Sequence, residues 1–116
     1  MKTDLDILEN RKILSNREQM TALCKSFPIL RGAWGTEPWD QYEFARWASN
    51  LDGDSADEQA AAFVLTVWNN SQPADGGWWN EGKFSAGRFD VVRAMMYWDY
   101  QQKAAFFAWC ERPFYP

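Results

Sequence analysis

Histidine is absent from the 116-residue chain, and with it go the commonest general base, the commonest metal ligand and every nucleophilic triad built on imidazole. Only two cysteines are present, too few for a zinc site without further ligands. The glycines at 76, 77, 82 and 87 lack the spacing of a phosphate loop, and no Lys-Ser or Lys-Thr pair follows them. The longest apolar run, Ala60 to Trp68, falls far short of the roughly 20 residues a membrane span needs. Basic charge is also scarce, with 12 Lys and Arg against 16 Asp and Glu and a net charge of −4. The acidic surplus sits in residues 1–58, which hold seven basic and eleven acidic side chains against five and five in residues 59–116. A nucleic-acid binder draws most of its affinity from a basic face that neutralises phosphates. Direct DNA or RNA binding is therefore not expected, nor is adhesion to an anionic membrane, and no cofactor or metal is expected.

What the chain has in quantity is aromatic side chains, 17 % of its residues, among them eight Trp, eight Phe and four Tyr. Each buried ring removes about 150–250 Å² from water, enough apolar burial for a domain of this size to fold without disulfides or metal. Cys24 and Cys110 each lie on an apolar helix face among core-type residues, which predicts two buried, unpaired thiols. The N-terminal Met1-Lys2-Thr3-Asp4-Leu5-Asp6 shows neither the basic start nor the apolar stretch of a signal peptide. Together with unpaired cysteine this predicts a cytoplasmic location.

Residues 1–116 read as a single all-α domain, a compact bundle of five or six short helices, because no strand alternation, repeat or linker interrupts them. Thr3 caps a first helix to about Leu14, and Ser15-Asn16-Arg17-Glu18 has the capping-box pattern for a second from about Asn16 to Ser26. Thr36 as cap with Pro38 in the first turn predicts a third helix, with Phe44, Trp47 and Leu51 on one face and Trp39, Tyr42 and Arg46 on another. Ser55-Ala56-Asp57-Glu58 is a second capping box, opening a helix with Ala60, Phe63, Val64, Val67 and Trp68 in register. Asn69 to Lys83 is rich in breakers and reads as the longest irregular stretch. Two further helices are predicted, Phe89 to Trp98 and then Tyr100 to about Glu111 with Asp99 as cap. Both are apolar around much of their circumference, which predicts that they form the buried centre.

Two aromatic clusters stand out as candidate partner-binding patches. Trp78 and Trp79 are adjacent rings beside two glycines, with Arg88 following, and exposed aromatics with Arg are the usual anchors of protein interfaces. Trp39, Tyr42 and Arg46 form the second patch, next to the acidic turn of Asp52, Asp54, Asp57 and Glu58. For each patch the alternative is that its rings belong to the core. The acidic turn has carboxylates enough for calcium, but its fifth position is Ala56, its sixth lacks glycine and its twelfth is Phe63. A helix N-terminus accounts for the acids through its dipole. Asp40 and Glu43 beside Trp39 and Tyr42 resemble the start of a glycosidase site, though surface helices carry such pairs constantly.

The C-terminal quarter, with Phe89-Asp90, Trp98-Asp99, Ala104-Ala105-Phe106, Ala108-Trp109, Pro113 and Pro116, resembles the tail of small uncharacterised proteins encoded by proteobacterial phages, prophages and plasmids. The resemblance carries no activity, ligand or site. It implies a context in which accessory proteins bind and disable a host factor, including restriction or CRISPR machinery. The expected function is thus a non-enzymatic inhibitor or adaptor, monomeric or homodimeric, acting on a host or defence-system protein. Two alternatives stay open. One is a small-molecule or carbohydrate binder with a pocket near Trp39, Tyr42, Trp78 and Trp79; the other is a homo-oligomeric structural protein.

Overall fold

A computed structural model describes residues 16–51, 55–69, 89–114 and 116. The first predicted helix, the Ser15 hydroxyl, Asp52, Asp54, Trp78, Trp79 and Arg88 lie outside the described residues. The fold is all-α. Helix α1 is described over residues 16–26, followed by a 3-10 turn at Pro28–Leu30, α2 at Gln41–Ala48, α3 at Ala56–Asn69, α4 at Val91–Tyr97 and α5 at Tyr100–Glu111. The described residues contain no strand beyond an isolated bridge between Thr36 and Trp39.

The central element is α3. From Gln59 to Val67 every residue but Thr66 is buried, and the run Ala60-Ala61-Ala62 lets neighbours approach its backbone closely. The 3-10 turn, α2 and α4 all pack against it, while α5 reaches the 3-10 turn. Its start is the one the capping box predicts: Glu58 N–H donates to Asp57 Oδ1 at 2.9 Å and to Ser55 Oγ at 3.4 Å. Phe63 is the hub of the core, with ring centroids 5.1–5.9 Å from those of Phe106, Phe89, Trp109 and Phe27. Trp98 closes the cluster over Phe27, Phe89 and Phe106, and its indole N–H donates to Ala56 O at 2.9 Å. A buried indole usually finds such a partner, which here also occupies a carbonyl of the first turn of α3.

Two buried glutamines tie connectors to helices. Gln59 Oε1 accepts the N–H of Asp90, and Gln102 Oε1 accepts the N–H of Ile29, each at 3.1 Å. Asp99 caps α5 as its sequence predicts, accepting from the N–H groups of Gln101 and Gln102. Those bonds hold its carboxyl below the usual aspartate range, the Gln102 backbone N–H contributing most. The Gln102 side chain adds a third donor to Asp99 at 2.8 Å, so one residue braces the cap and fastens the 3-10 turn.

Four expectations are corrected. Helix α2 starts at Gln41 and ends at Ala48, five residues after Thr36 and three before Leu51, because Asp40 is its cap and takes the N–H groups of Tyr42 and Glu43. Thr36 to Trp39 instead forms a tight loop with a cis Glu37–Pro38 peptide, closed by the Asp40 N–H on Gly35 O at 2.7 Å. In the same way Asp90 caps α4, which begins at Val91, leaving Phe89 before the helix to pack on Phe63. Helices α4 and α5 are not the buried centre. Only Ala94 is buried in α4, and only Gln102 and Ala105 in α5, since one side of each suffices to cover the Phe63 cluster. Cys110, predicted buried, lies on the outer part of α5 and is exposed.

Candidate functional site

Among the sequence-predicted site residues, Trp39 moves furthest from its expected role. It is 2 % exposed, with its ring 5.2 Å from Phe44 and 5.6 Å from Trp68, so it is a core residue rather than part of an exposed aromatic patch. The reason lies in the displaced start of α2: Trp39 precedes the cap, where the loop turns it inward, instead of sharing a helical face with Tyr42 and Arg46. Those two do lie together on the outer side of α2, one turn apart and exposed. Arg46 pairs with Glu43 at 3.0 Å, and Asp40 is spent on the helix cap. The carboxylate pair therefore serves α2 itself, one as its cap and the other in an ion pair one turn on. Asp57 and Glu58 are half-buried in the first turn of α3, where Asp57 Oδ1 accepts from the Glu58 N–H and from the Ser55 hydroxyl.

The described residues gather no group of three His, Cys, Asp or Glu side chains able to hold a metal ion. They contain no helix long and apolar enough to cross a membrane. Two depressions flank α1. One of about 390 Å³ is lined by Cys24, Phe27, Leu30 and Arg31 among others, and one of about 510 Å³ by Arg17, Thr21, Lys25 and Trp39 among others. Tyr42 lines neither. Lys25, at the rim of both, is paired with Glu37. Burial pushes the Cys24 thiol up to about 12, which disfavours its thiolate near neutral pH.

The surface that sequence reasoning missed is the outer side of α4 and α5. Val92, Met96, Tyr100 and Phe107 are 65 %, 73 %, 78 % and 55 % exposed, with Val91 and Tyr97 also open to water. Helix α4 turns Ala94 inward and Val92 and Met96 outward. Helix α5 turns Gln102, Ala105, Phe106 and Trp109 toward the core and Tyr100, Ala104 and Phe107 away from it. A helix apolar on both sides has one side more than this core needs. The sequence makes α5 apolar on two sides, Tyr100 and Phe107 on one and Trp109 on the other, without saying which side meets the core.

The two thiols offer a check on the placement of α5. Thiol titration of the native protein is expected to label Cys110 alone, with Cys24 reacting only in denaturant. Two equivalents released at once without denaturant would contradict the burial of Cys24. Compared with family models, with curated proteins and with solved structures, the chain matches none.

Proposed function

We propose that this protein is non-enzymatic and acts by binding another protein, as an inhibitor or adaptor, through the outer side of α4 and α5. The observation that carries this reading is the exposure of Val92, Met96, Tyr97, Tyr100 and Phe107. Large apolar side chains grouped on the surface mark interaction sites more often than they occur by chance. Val92 and Met96 stand one turn apart, the i, i+4 spacing by which a helix seats two anchors in an apolar groove. The unbranched Met96 side chain adapts to the shape of such a groove. The partner's complementary feature is thus an apolar groove on a protein surface.

Tyr42 and Arg46 supply a smaller second contact of the aromatic–Arg kind. The acidic excess of residues 1–58 favours approach to a basic partner. The resemblance of the C-terminal quarter to small proteins of phages, prophages and plasmids supports a host or defence-system protein as that partner, with restriction and CRISPR components as candidates, and a cytoplasmic site of action.

The test is affinity purification of the tagged protein from a bacterial lysate at two salt concentrations, with wild type and Val92→Glu/Met96→Glu side by side. Wild type is expected to retain one stoichiometric partner, less at high salt. The variant is expected to lose at least nine-tenths of it while its circular dichroism stays helical, since both positions face water. Equal capture by the variant would remove α4 from the reading. Recovery of no foreign protein by wild type would overturn the reading itself.

A further inference from the structure

We infer that the outer stripe of α5 is a self-interface, on which a second copy of this chain docks antiparallel about a two-fold axis at Phe107. The inference rests on the reading just given, that the outer sides of α4 and α5 bind protein, and it names the partner for one of them. At 100° per residue, Tyr100, Lys103, Ala104, Phe107, Cys110 and Glu111 fall on one face of α5, opposite buried Gln102 and Ala105. Five of the six are exposed and Lys103 is half-buried. The spacing is 3, 1, 3, 3, 1, the seam of a short helix pair.

What selects a second copy as the occupant is the charge pattern of this stripe. Lys103 lies four residues before Phe107 and Glu111 four residues after it. Within one chain they are about 12 Å apart along the helix, too far to pair, and neither has an ion-pair partner among the described residues. An antiparallel two-fold at Phe107 brings Lys103 level with the second copy's Glu111 and Glu111 level with its Lys103, so two ion pairs form from one contact. Parallel pairing would set Lys103 against Lys103 and Glu111 against Glu111. The stripe is therefore complementary to itself in one orientation and repulsive in the other, which is how an isologous interface fixes its register. Phe107 meets its own copy at the axis. Small Ala104 and Cys110, three residues to either side, leave room for the two helices to approach.

Light scattering across a concentration series is expected to show wild type moving from 13.5 kDa to twice that mass. Lys103→Glu, which turns both ion pairs into repulsions, is expected to stay monomeric throughout. Lys103→Glu/Glu111→Lys is expected to recover the wild-type dimer. Glu111 is exposed and Lys103 half-buried, and the charge swap controls for any effect on folding. Register is read by crosslinking: the docking sets Lys103 beside the second copy's Cys110, so Lys103→Cys is expected to form a covalent dimer under mild oxidation. Lys103→Cys/Cys110→Ser is expected not to, because two copies of position 103 stand about 12 Å apart. A wild-type mass of one chain at every concentration overturns the inference, as does a dimer indifferent to Lys103→Glu. A monomer that still captures a foreign protein through Val92 and Met96 ends this inference and leaves the binding reading standing. A dimer that captures nothing does the reverse.

Discussion

Phe63→Ala is expected to cost about 3–5 kcal/mol of folding stability, the range for removing a buried aromatic ring from a packed core. The ring has Phe27, Phe89, Phe106 and Trp109 within 5.9 Å between centroids. Those four come from the residue after α1, the residue before the cap of α4 and two turns of α5, so the cavity opens where the C-terminal elements meet α3. Neighbours anchored on three separate segments have little freedom to close it, which places the loss toward the upper end of the range. A small domain has only about 5–15 kcal/mol in total, so the variant should unfold at a far lower urea concentration or fail to fold. Val92→Ala is the matched control. It removes apolar volume from an exposed position and should shift stability by about 0.5 kcal/mol or less. Comparable losses in the two variants, read from urea midpoints with unchanged slopes, would contradict α3 as the centre and α4 as the surface.

Gly35→Ala is the second large effect, and Gly32→Ala separates its causes. Both glycines have positive φ, +73° and +91°, where a side chain costs roughly 1–2 kcal/mol. At Gly32 a β-carbon would meet nothing within 4 Å, so that cost is the whole expected effect. At Gly35 the β-carbon would stand 2.5 Å from Asp40 O, 2.6 Å from Phe44 N and 2.9 Å from Glu43 Cβ. Two of those are backbone atoms of α2's first turns, and they cannot move without breaking the Asp40 cap and the bond from Asp40 N–H to Gly35 O. Gly35→Ala is therefore expected to cost about 3 kcal/mol or more, the overpacking strain adding to the conformational term. Near-ultraviolet circular dichroism should also report loosening around Trp39 and Phe44, which follow the loop. Equal effects at the two glycines would mean that the loop does not press against α2.

The sequence reading succeeds where a side chain acts on its own neighbours. Asp99 as a cap, Ser55 as the start of α3, and the break at Pro28 each depend on local hydrogen bonding or a missing donor, and each is found where the residues put it. It fails where two local solutions compete. Thr36 with Pro38 makes an acceptable helix start, but Asp40 makes a better one once Gly35 folds the chain back, and that choice carries Trp39 from a helical face into the core. It also fails where periodicity is silent. In α3 the apolar pattern marks a helix but not that it is the central one, and α5 is apolar on two sides, so its sequence does not say which side meets the core. Phe106 and Trp109 win that place because they reach Phe63, and Tyr100, Phe107 and Cys110 are left outside. The candidate surface was hidden in the sequence for that reason: its residues look like core residues and, in composition, they are.

The most direct measurement of the central claim is photocrosslinking in cells, with a photoreactive phenylalanine derivative placed in turn at positions 96, 107 and 46. Position 96 is expected to join the chain to a foreign protein, and position 107 to join two copies of the chain at twice the monomer mass. Position 46, on the far smaller Tyr42 and Arg46 patch, is expected to give less product than either. Crosslinks from position 46 alone, with 96 and 107 silent, would contradict the assignment of α4 and α5 as the binding surface.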